Sequence, residues 1–305
     1  MACTQYAYVK SFERDDRLLP NTWLVVRLDG QAFHQFSKAH QFAKPNDAAA
    51  LDLMNACARS ILQSYQDIVL AYGESDEMSF LLPPHAQIFR RREAKLVSTI
   101  ASQFAAQYTF LWPQYMPNTT LQSPPVFDAR AVVYPTVQNV RDYFAWRQAD
   151  CHINNLYNTT FWTMVLDPKH PERTTREVEA ILKDTNAAGK NEILFTQYDI
   201  NYAHLPAMFR KGSTLFRTKT AVTETSRTTG EPVVRQRDVI QTTYDDLIGD
   251  AFWDAHPAIL TVQAPRAAKL AKNGSDGQGM VHTKRAVIAH HAPDDQEELL
   301  QPDTS

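Results

Sequence analysis

The chain has 305 residues, 44% hydrophobic and 21% charged, with a formal net charge of −3, which allows two domains, or one domain with a large extension, and an ample core. The slight negative balance excludes a protein coated in basic surface, so any contact with nucleic acid has to come from a local patch. No apolar run reaches the length of a membrane span, residues 1–10 lack a charged-then-apolar leader, and Cys3, Cys57 and Cys151 spell neither a disulfide framework nor a zinc knuckle, so a cytoplasmic or nuclear protein is expected.

Tyr6, Tyr8, Val9 and Phe12, followed by Glu13, Asp15 and Asp16, read as an amphipathic lead-in. Trp23, Leu24, Val25, Val26 and Leu28 form a nearly continuous apolar run of the type buried on both faces of a sheet, and it ends at Asp29-Gly30. Phe33 and Phe36 share one helical face with His34 between them. Lys44-Pro45-Asn46-Asp47 opens a helix whose core face is Leu51, Met54, Ala58, Ile61, Leu62 and Tyr65. Residues 68–72 and 78–82 read as a hairpin, with Gly73-Glu74-Ser75-Asp76 as its tight turn. A long helix over about 87–112 and a strand from about 126 to 134 complete the first part.

Beyond Pro135 the pattern predicts a helix over 137–165 and another over 173–184. A turn is expected at Gly189-Lys190-Asn191-Glu192, a strand kinked at Gly212 over 209–216, and a small helix within 247–260. From about Ala264 the composition is that of a disordered tail. The order strand, helix, strand, strand, helix, strand is the split βαβ plan. The expectation is therefore an α+β protein: a ferredoxin-like, polymerase-type palm over 1–135, an extension over 136–263 packed on it, and a tail over 264–305. The same plan underlies polymerase palms and nucleotide cyclases, a likeness of fold only.

Asp29 and Asp76 fall on the first strand and the adjacent hairpin. Brought together, two carboxylates and the Gly30 carbonyl are a donor set for Mg²⁺ that leaves room for phosphate, and a pair of such ions is the machinery of phosphoryl or nucleotidyl transfer. Asp-Gly after a strand is also an ordinary turn, and acidic residues at a hairpin tip are commonly solvated. Arg27 inside an apolar strand needs an anionic or hydrogen-bonded partner. Lys44, Arg92 and Lys95 could join it around a triphosphate, or Arg92 and Lys95 could belong to a solvated face. Arg147, His152, Asn155 and Asn158 are polar groups in an aromatic-rich helix, where His152 reads equally as a buried structural group or a substrate contact.

Five stretches resemble the eukaryotic tRNA(His) guanylyltransferase family. They are Val25–Gly30, Phe42–Asp47, Tyr72–Glu77, Trp146–Thr159 and Lys190–Phe195; one departure is Glu74, where glutamine or another polar residue is expected in relatives. The resemblance implies a reverse-direction polymerase that uses ATP to adenylylate the 5′-monophosphate of histidine tRNA. The 3′-hydroxyl of GTP then attacks that end, and the added triphosphate is trimmed. It implies two Mg²⁺ on Asp29, Gly30 and Asp76, with Glu77 joining Asp29 and Asp76 in catalysis. GTP is implied at Asp29, Gly30, Gln31, Ala32, Phe33, His34, Lys44, Ser75 and Asp76. Weaker implications place triphosphate or tRNA contacts on Arg27, Arg92, Lys95, Arg147, His152, Asn155 and Lys190, and a homotetramer that binds tRNA across subunits. A purine nucleotide cyclase and a non-catalytic GTP- and RNA-binding module are the rival expectations.

Overall fold

The computed structural model describes residues 4–225 and 230–261; the expected tail over 264–305 lies outside the described residues. Ala7–Phe12 forms a 3-10 helix that buries none of its residues. Strand β1, Trp23–Gly30, lies inside the sheet, next to one of its edge strands. It pairs antiparallel with β3, Glu77–Leu82, which makes a hairpin with β2, Leu70–Glu74, and on its other side with β4, Phe127–Tyr134. The hairpin turn is two residues, Ser75 and Asp76, with Ser75 at φ 50°, a conformation costly for a side chain other than glycine.

Helix α1 is Phe33–Ala39, α2 is Ala48–Ser64 and α3 is Glu93–Tyr115. The side-chain oxygen of Asp47 accepts from the backbone N–H of Ala50 and so starts α2, as the sequence leads one to expect. α2 and α3 cover one face of the sheet, where Leu24, Val26 and Leu28 meet Leu53, Ile61, Leu96, Ile100 and Phe104. α4, Val137–Val165, covers the other face, where Trp23 and Val25 meet Val140, Tyr143 and Phe144. This double cover is why β1 is apolar at successive positions. Each large side chain so buried contributes about 1.5–3 kcal/mol.

α5 is Thr175–Leu182, closed at its start by a reciprocal Thr174–Glu177 capping box. Where the sequence predicts a turn at Gly189–Glu192, the structure has helix α6, Ala187–Tyr198. The side chain of Asn186 caps it by accepting from Gly189 N–H, so Gly189 lies in a first helical turn and does not break the chain. The expected strand over 209–216 is also corrected. Pro206 leads into the short helix α7, Ala207–Lys211, and Gly212 at φ 71° ends it, so β5 begins only at Ser213.

β5, Ser213–Thr225, and β6, Pro232–Thr243, form a long hairpin for which no apolar alternation exists in the sequence. Its root pairs with β2, giving a six-stranded antiparallel sheet of order β4-β1-β3-β2-β5-β6. Arg59 of α2 fixes that root by donating to the Ile240 carbonyl and the Thr242 hydroxyl. The last helix, α8, Ala251–Ala255, is shorter than the expected 247–260 span; Phe252 and Trp253 dock it beside α4. Among the described residues no helix is long and apolar enough to cross a membrane.

Candidate active site

β1 delivers Asp29 and Gly30 to the edge of the sheet, and the β2–β3 turn delivers Asp76 beside them. Gly30 N–H donates to the Asp76 carbonyl at 3.2 Å. A Cβ built on Gly30 falls 2.8 Å from Asp76 Oδ2 and 2.4 Å from Phe33 Cδ2. The glycine is therefore required by close approach, with φ on the ordinary side. Gly30→Ala is expected to displace the Asp76 carboxylate and remove at least about 90% of activity, with a modest loss of melting temperature; steady-state kinetics and thermal denaturation check both.

Burial pushes the Asp76 carboxyl above its ordinary value and the neighbouring negative charge of Asp29 adds to the push, against a 3.0 Å hydrogen bond from the Ser75 hydroxyl and the nearby His34. Such a desolvated carboxylate beside a second one wants a cation. Two carboxylates and a carbonyl, all oxygen, suit Mg²⁺. Among the described residues no group of three or more His, Cys, Asp or Glu side chains is placed to hold a metal, so water or substrate phosphate has to complete the coordination.

Glu77 lies opposite Asp29 in the β1–β3 register. Its carboxylate accepts from Arg147 at 2.9 Å and stands 3.9 Å from Arg27. Burial raises its pKa, and Arg147 and then Arg27 oppose the rise. Arg27 thus finds its required anion in Glu77, and its guanidinium also lies 5.9 Å from the Trp146 ring. Arg147, only 6% exposed, serves Glu77, Asp150 at 3.0 Å and Glu74 at 3.7 Å, and stacks 3.4 Å from the Trp146 ring. Its two terminal nitrogens are engaged by these carboxylates, while its buried Nε has no hydrogen-bond partner.

Glu74 is pushed up to about 8 by burial first and by Glu77 second, with Arg147 opposing. A native carboxyl with a raised pKa binds more protons than its unfolded counterpart. The stability it brings is complete below about 4.5 and is lost as pH climbs through about 8. Glu74→Gln is therefore expected to gain stability relative to the parent as pH rises from about 5 to about 8.5, by an amount on the order of a few kcal/mol, seen as a rise in relative melting temperature. Denaturation scans in EDTA at both pH values measure it.

The carboxylates open onto a cavity of about 800 Å³, enough for a nucleoside triphosphate. It gathers Asp29, Gly30, Ala32, Phe33, His34, Lys44, Ser75, Asp76, Glu77, Arg147 and Asn155 from among the expected residues. Asn155 is buried, accepts from Asn46 at 2.9 Å and donates to the Tyr202 hydroxyl at 3.0 Å, tying α4 to the α2 approach.

Gln31 is exposed, its N–H donating to the Val126 carbonyl, and does not line the cavity. His152 is exposed against Tyr202, which removes its reading as a buried structural group. Lys190 donates to the Thr185 carbonyl at 2.6 Å, with its ammonium 5.8 Å from the Tyr157 ring.

Arg92 and Lys95 are a correction to the expected triphosphate cluster. Arg92 bridges to Arg17, and neighbouring Arg91 donates to the Thr22 carbonyl at 3.0 Å. Asp29 is seven residues further along an extended chain, on the order of 23 Å away. The sequence missed Tyr157, Phe161 and Trp162, which also line the cavity; aromatic residues on a helix carry no local signal that separates a cavity wall from core.

Residues 6–135 match the family model described as Thg1, tRNAHis guanylyltransferase, and residues 138–291 match that of the Thg1 C terminal domain. A probable tRNA(His) guanylyltransferase of Drosophila melanogaster is 46% identical over 286 residues, covering 90% of this chain and 95% of that one. A tRNA(His) guanylyltransferase of Neurospora crassa is likewise 46% identical, over 86% of this chain and 97% of its own. The crystal structure of the Saccharomyces cerevisiae tRNA(His) guanylyltransferase superposes with a TM-score of 0.66 at 42% identity, covering 76% of this chain and 96% of that one. A bacterial Thg1-like protein solved with ATP has a TM-score of 0.63 at 20% identity over 84% of this chain and 96% of its own, a likeness of fold alone. The mixed α/β architecture on an antiparallel sheet is shared, and relatives near half identical run along almost their whole length: this chain belongs to the tRNA(His) guanylyltransferase family, a family of nucleotidyltransferases.

Proposed function

We propose that this protein adds a guanylate to the 5′ end of histidine tRNA in the 3′-to-5′ direction. The observation that carries the reading is the meeting of Asp29, from the end of β1, and Asp76, from the β2–β3 turn, at the mouth of a nucleotide-sized cavity. In the first step an oxygen of the tRNA 5′-monophosphate attacks the α-phosphorus of ATP and pyrophosphate leaves. In the second, the 3′-hydroxyl of GTP attacks the activated 5′-phosphorus and AMP leaves. Hydrolysis then trims the added triphosphate. Two Mg²⁺, held by Asp29, Asp76 and the Gly30 carbonyl, supply charge stabilisation at phosphorus and acidify the attacking hydroxyl.

The chain's own residues do the rest. Asp29 and Asp76 keep fixed negative charge where cations and phosphates must converge. Glu77 is held by Arg147 and Arg27, so it acts by fixing the end of β3 beside Asp29. The ferredoxin-like palm of 1–135 carries the chemistry in this reading, and 136–263 closes the cavity over it through α4. Arg92, Lys95, His152 and Lys190 are assigned to tRNA, in an assembly of four copies where the RNA passes between subunits.

The test is incubation with α-labelled GTP, ATP and 5′-monophosphorylated histidine tRNA lacking the extra guanylate. Label at the RNA 5′ end with release of AMP and pyrophosphate supports the proposal. Cyclic GMP in place of labelled RNA, or tight binding without turnover, overturns it.

A further inference from the structure

His40 closes α1 and is buried, 1% exposed, among aromatic rings: its centroid lies 4.1 Å from that of Phe36, 4.9 Å from Trp112 and 6.5 Å from Phe42. Both of its ring nitrogens are engaged. Nδ1 stands 2.8 Å from the Phe36 carbonyl, to which it can only donate, so Nε2 is the acceptor, and it takes the backbone N–H of Gln122 at 2.9 Å. The Gln122 side chain returns the contact by donating at 3.1 Å to the carbonyl of Ala39, in the open last turn of α1. A phenylalanine would fill the same space. It would not supply the bare nitrogen, and here that nitrogen fastens a loop 82 residues away in sequence.

The loop, 116–126, joins α3 to β4. Trp112 holds its near part by donating from Nε1 to the Thr119 carbonyl at 2.6 Å. After Gln122 come Ser123, Pro124 and Pro125, and two successive prolines, each with φ fixed at about −65°, leave this stretch little freedom. Next is Val126, whose carbonyl accepts from Gln31 N–H at 2.8 Å. The β1–β4 ladder ends at Gly30 and Phe127, so this bond lies just past it and depends on where the loop places Val126. Gln31 N–H and the Gly30 carbonyl belong to one planar peptide unit and point in opposite directions, so whatever holds the first aims the second. That carbonyl is the backbone member of the oxygen set formed with Asp29 and Asp76.

We infer that His40 is a positioning residue for the transfer: through Gln122 and the stiff Pro124-Pro125 segment it fixes the Val126 carbonyl, and with it the direction in which the Gly30 carbonyl points beside Asp29 and Asp76. The imidazole acts only through the backbone. The inference rests on the transfer reading, which gives the Gly30 carbonyl its cation.

Titration of the full chain and two variants with Mn²⁺ tests it, since Mn²⁺ takes the same oxygen donors as Mg²⁺ and its free form is read by electron paramagnetic resonance at a temperature where every protein is folded. His40→Phe keeps a ring and strands the Gln122 N–H; His40→Gln sets an amide oxygen close to the position of Nε2. His40→Phe is expected to weaken the ion by about tenfold or more and to lower kcat by a similar factor, while His40→Gln stays within about threefold of the parent. A merely structural histidine would lower the melting temperature of both variants and leave the ion affinity of the folded protein unchanged, which overturns the inference. Equal weakening in the two variants, or a parent that takes no ion, overturns it as well. Should His40→Phe fail to fold, Pro124→Gly decides, because Pro124 is exposed and its replacement loosens the segment outside the core. It has to weaken Mn²⁺ too, and unchanged affinity counts against the inference. The ion is read without turnover, so an unmutated protein that binds Mn²⁺ yet transfers no guanylate refutes the transfer reading alone.

Discussion

Asp29→Asn and Asp76→Asn are each expected to lower guanylate transfer by about a thousandfold or more while leaving the fold intact. Removing a single preorganised charge-stabilising group commonly costs 10²–10³, and in the proposed mechanism each carboxylate serves both chemical steps. The fold survives because neither side chain packs in the core. Asp76 is held against its own preference, buried beside a like charge, so its neutral replacement keeps or raises the melting temperature in EDTA. The diagnostic is the gain in melting temperature on adding Mg²⁺: present in the parent protein, it has to vanish in both variants. A variant that keeps the Mg²⁺ gain and normal turnover removes the site from Asp29 and Asp76.

The largest stability effect belongs to Arg147→Ala. The arginine neutralises Glu77, which is largely shielded from water, and a carboxylate stranded by loss of its partner costs about 3–5 kcal/mol. Chemical denaturation near neutral pH should show a loss of that size, and the loss should shrink as acid protonates Glu77. Pairing the change with Glu77→Gln should recover a large part of it, because the stranded charge is then gone. If Arg147→Ala unfolds no more readily than the parent and only raises the KM for nucleotide, the guanidinium belongs to substrate after all.

The first 135 residues were largely legible because local signals and tertiary demands agree there. The apolar run of β1 and the Asp47 cap each have one comfortable solution, and the hairpin was legible although its turn is Ser75-Asp76 alone, narrower than the expected Gly73–Asp76. The carboxylate pair was legible for the same reason: strand-end and turn positions leave a side chain few places to go. The extension was less readable. Gly189 carries the same local signal whether it breaks a chain or sits in a capped first turn, and Asn186 decides the matter. The β5–β6 hairpin alternates nothing, since most of its positions face water on both sides. Arg92 and Lys95 misled because spacing along a helix says which face they share, not which end of the sheet that helix starts from. Glu74 was underrated because a hairpin tip is usually wet, and only α4 makes this one dry.

That second cover has a practical meaning for anyone dissecting the protein. Trp23, Val25, Leu70, Tyr72 and Leu81 rest against residues contributed after Pro135. A truncated 1–135 product would carry both aspartates and yet present a broad greasy slab to solvent, so it should be recovered as aggregate. The smallest soluble catalyst that can be cut from this gene product has to retain α4.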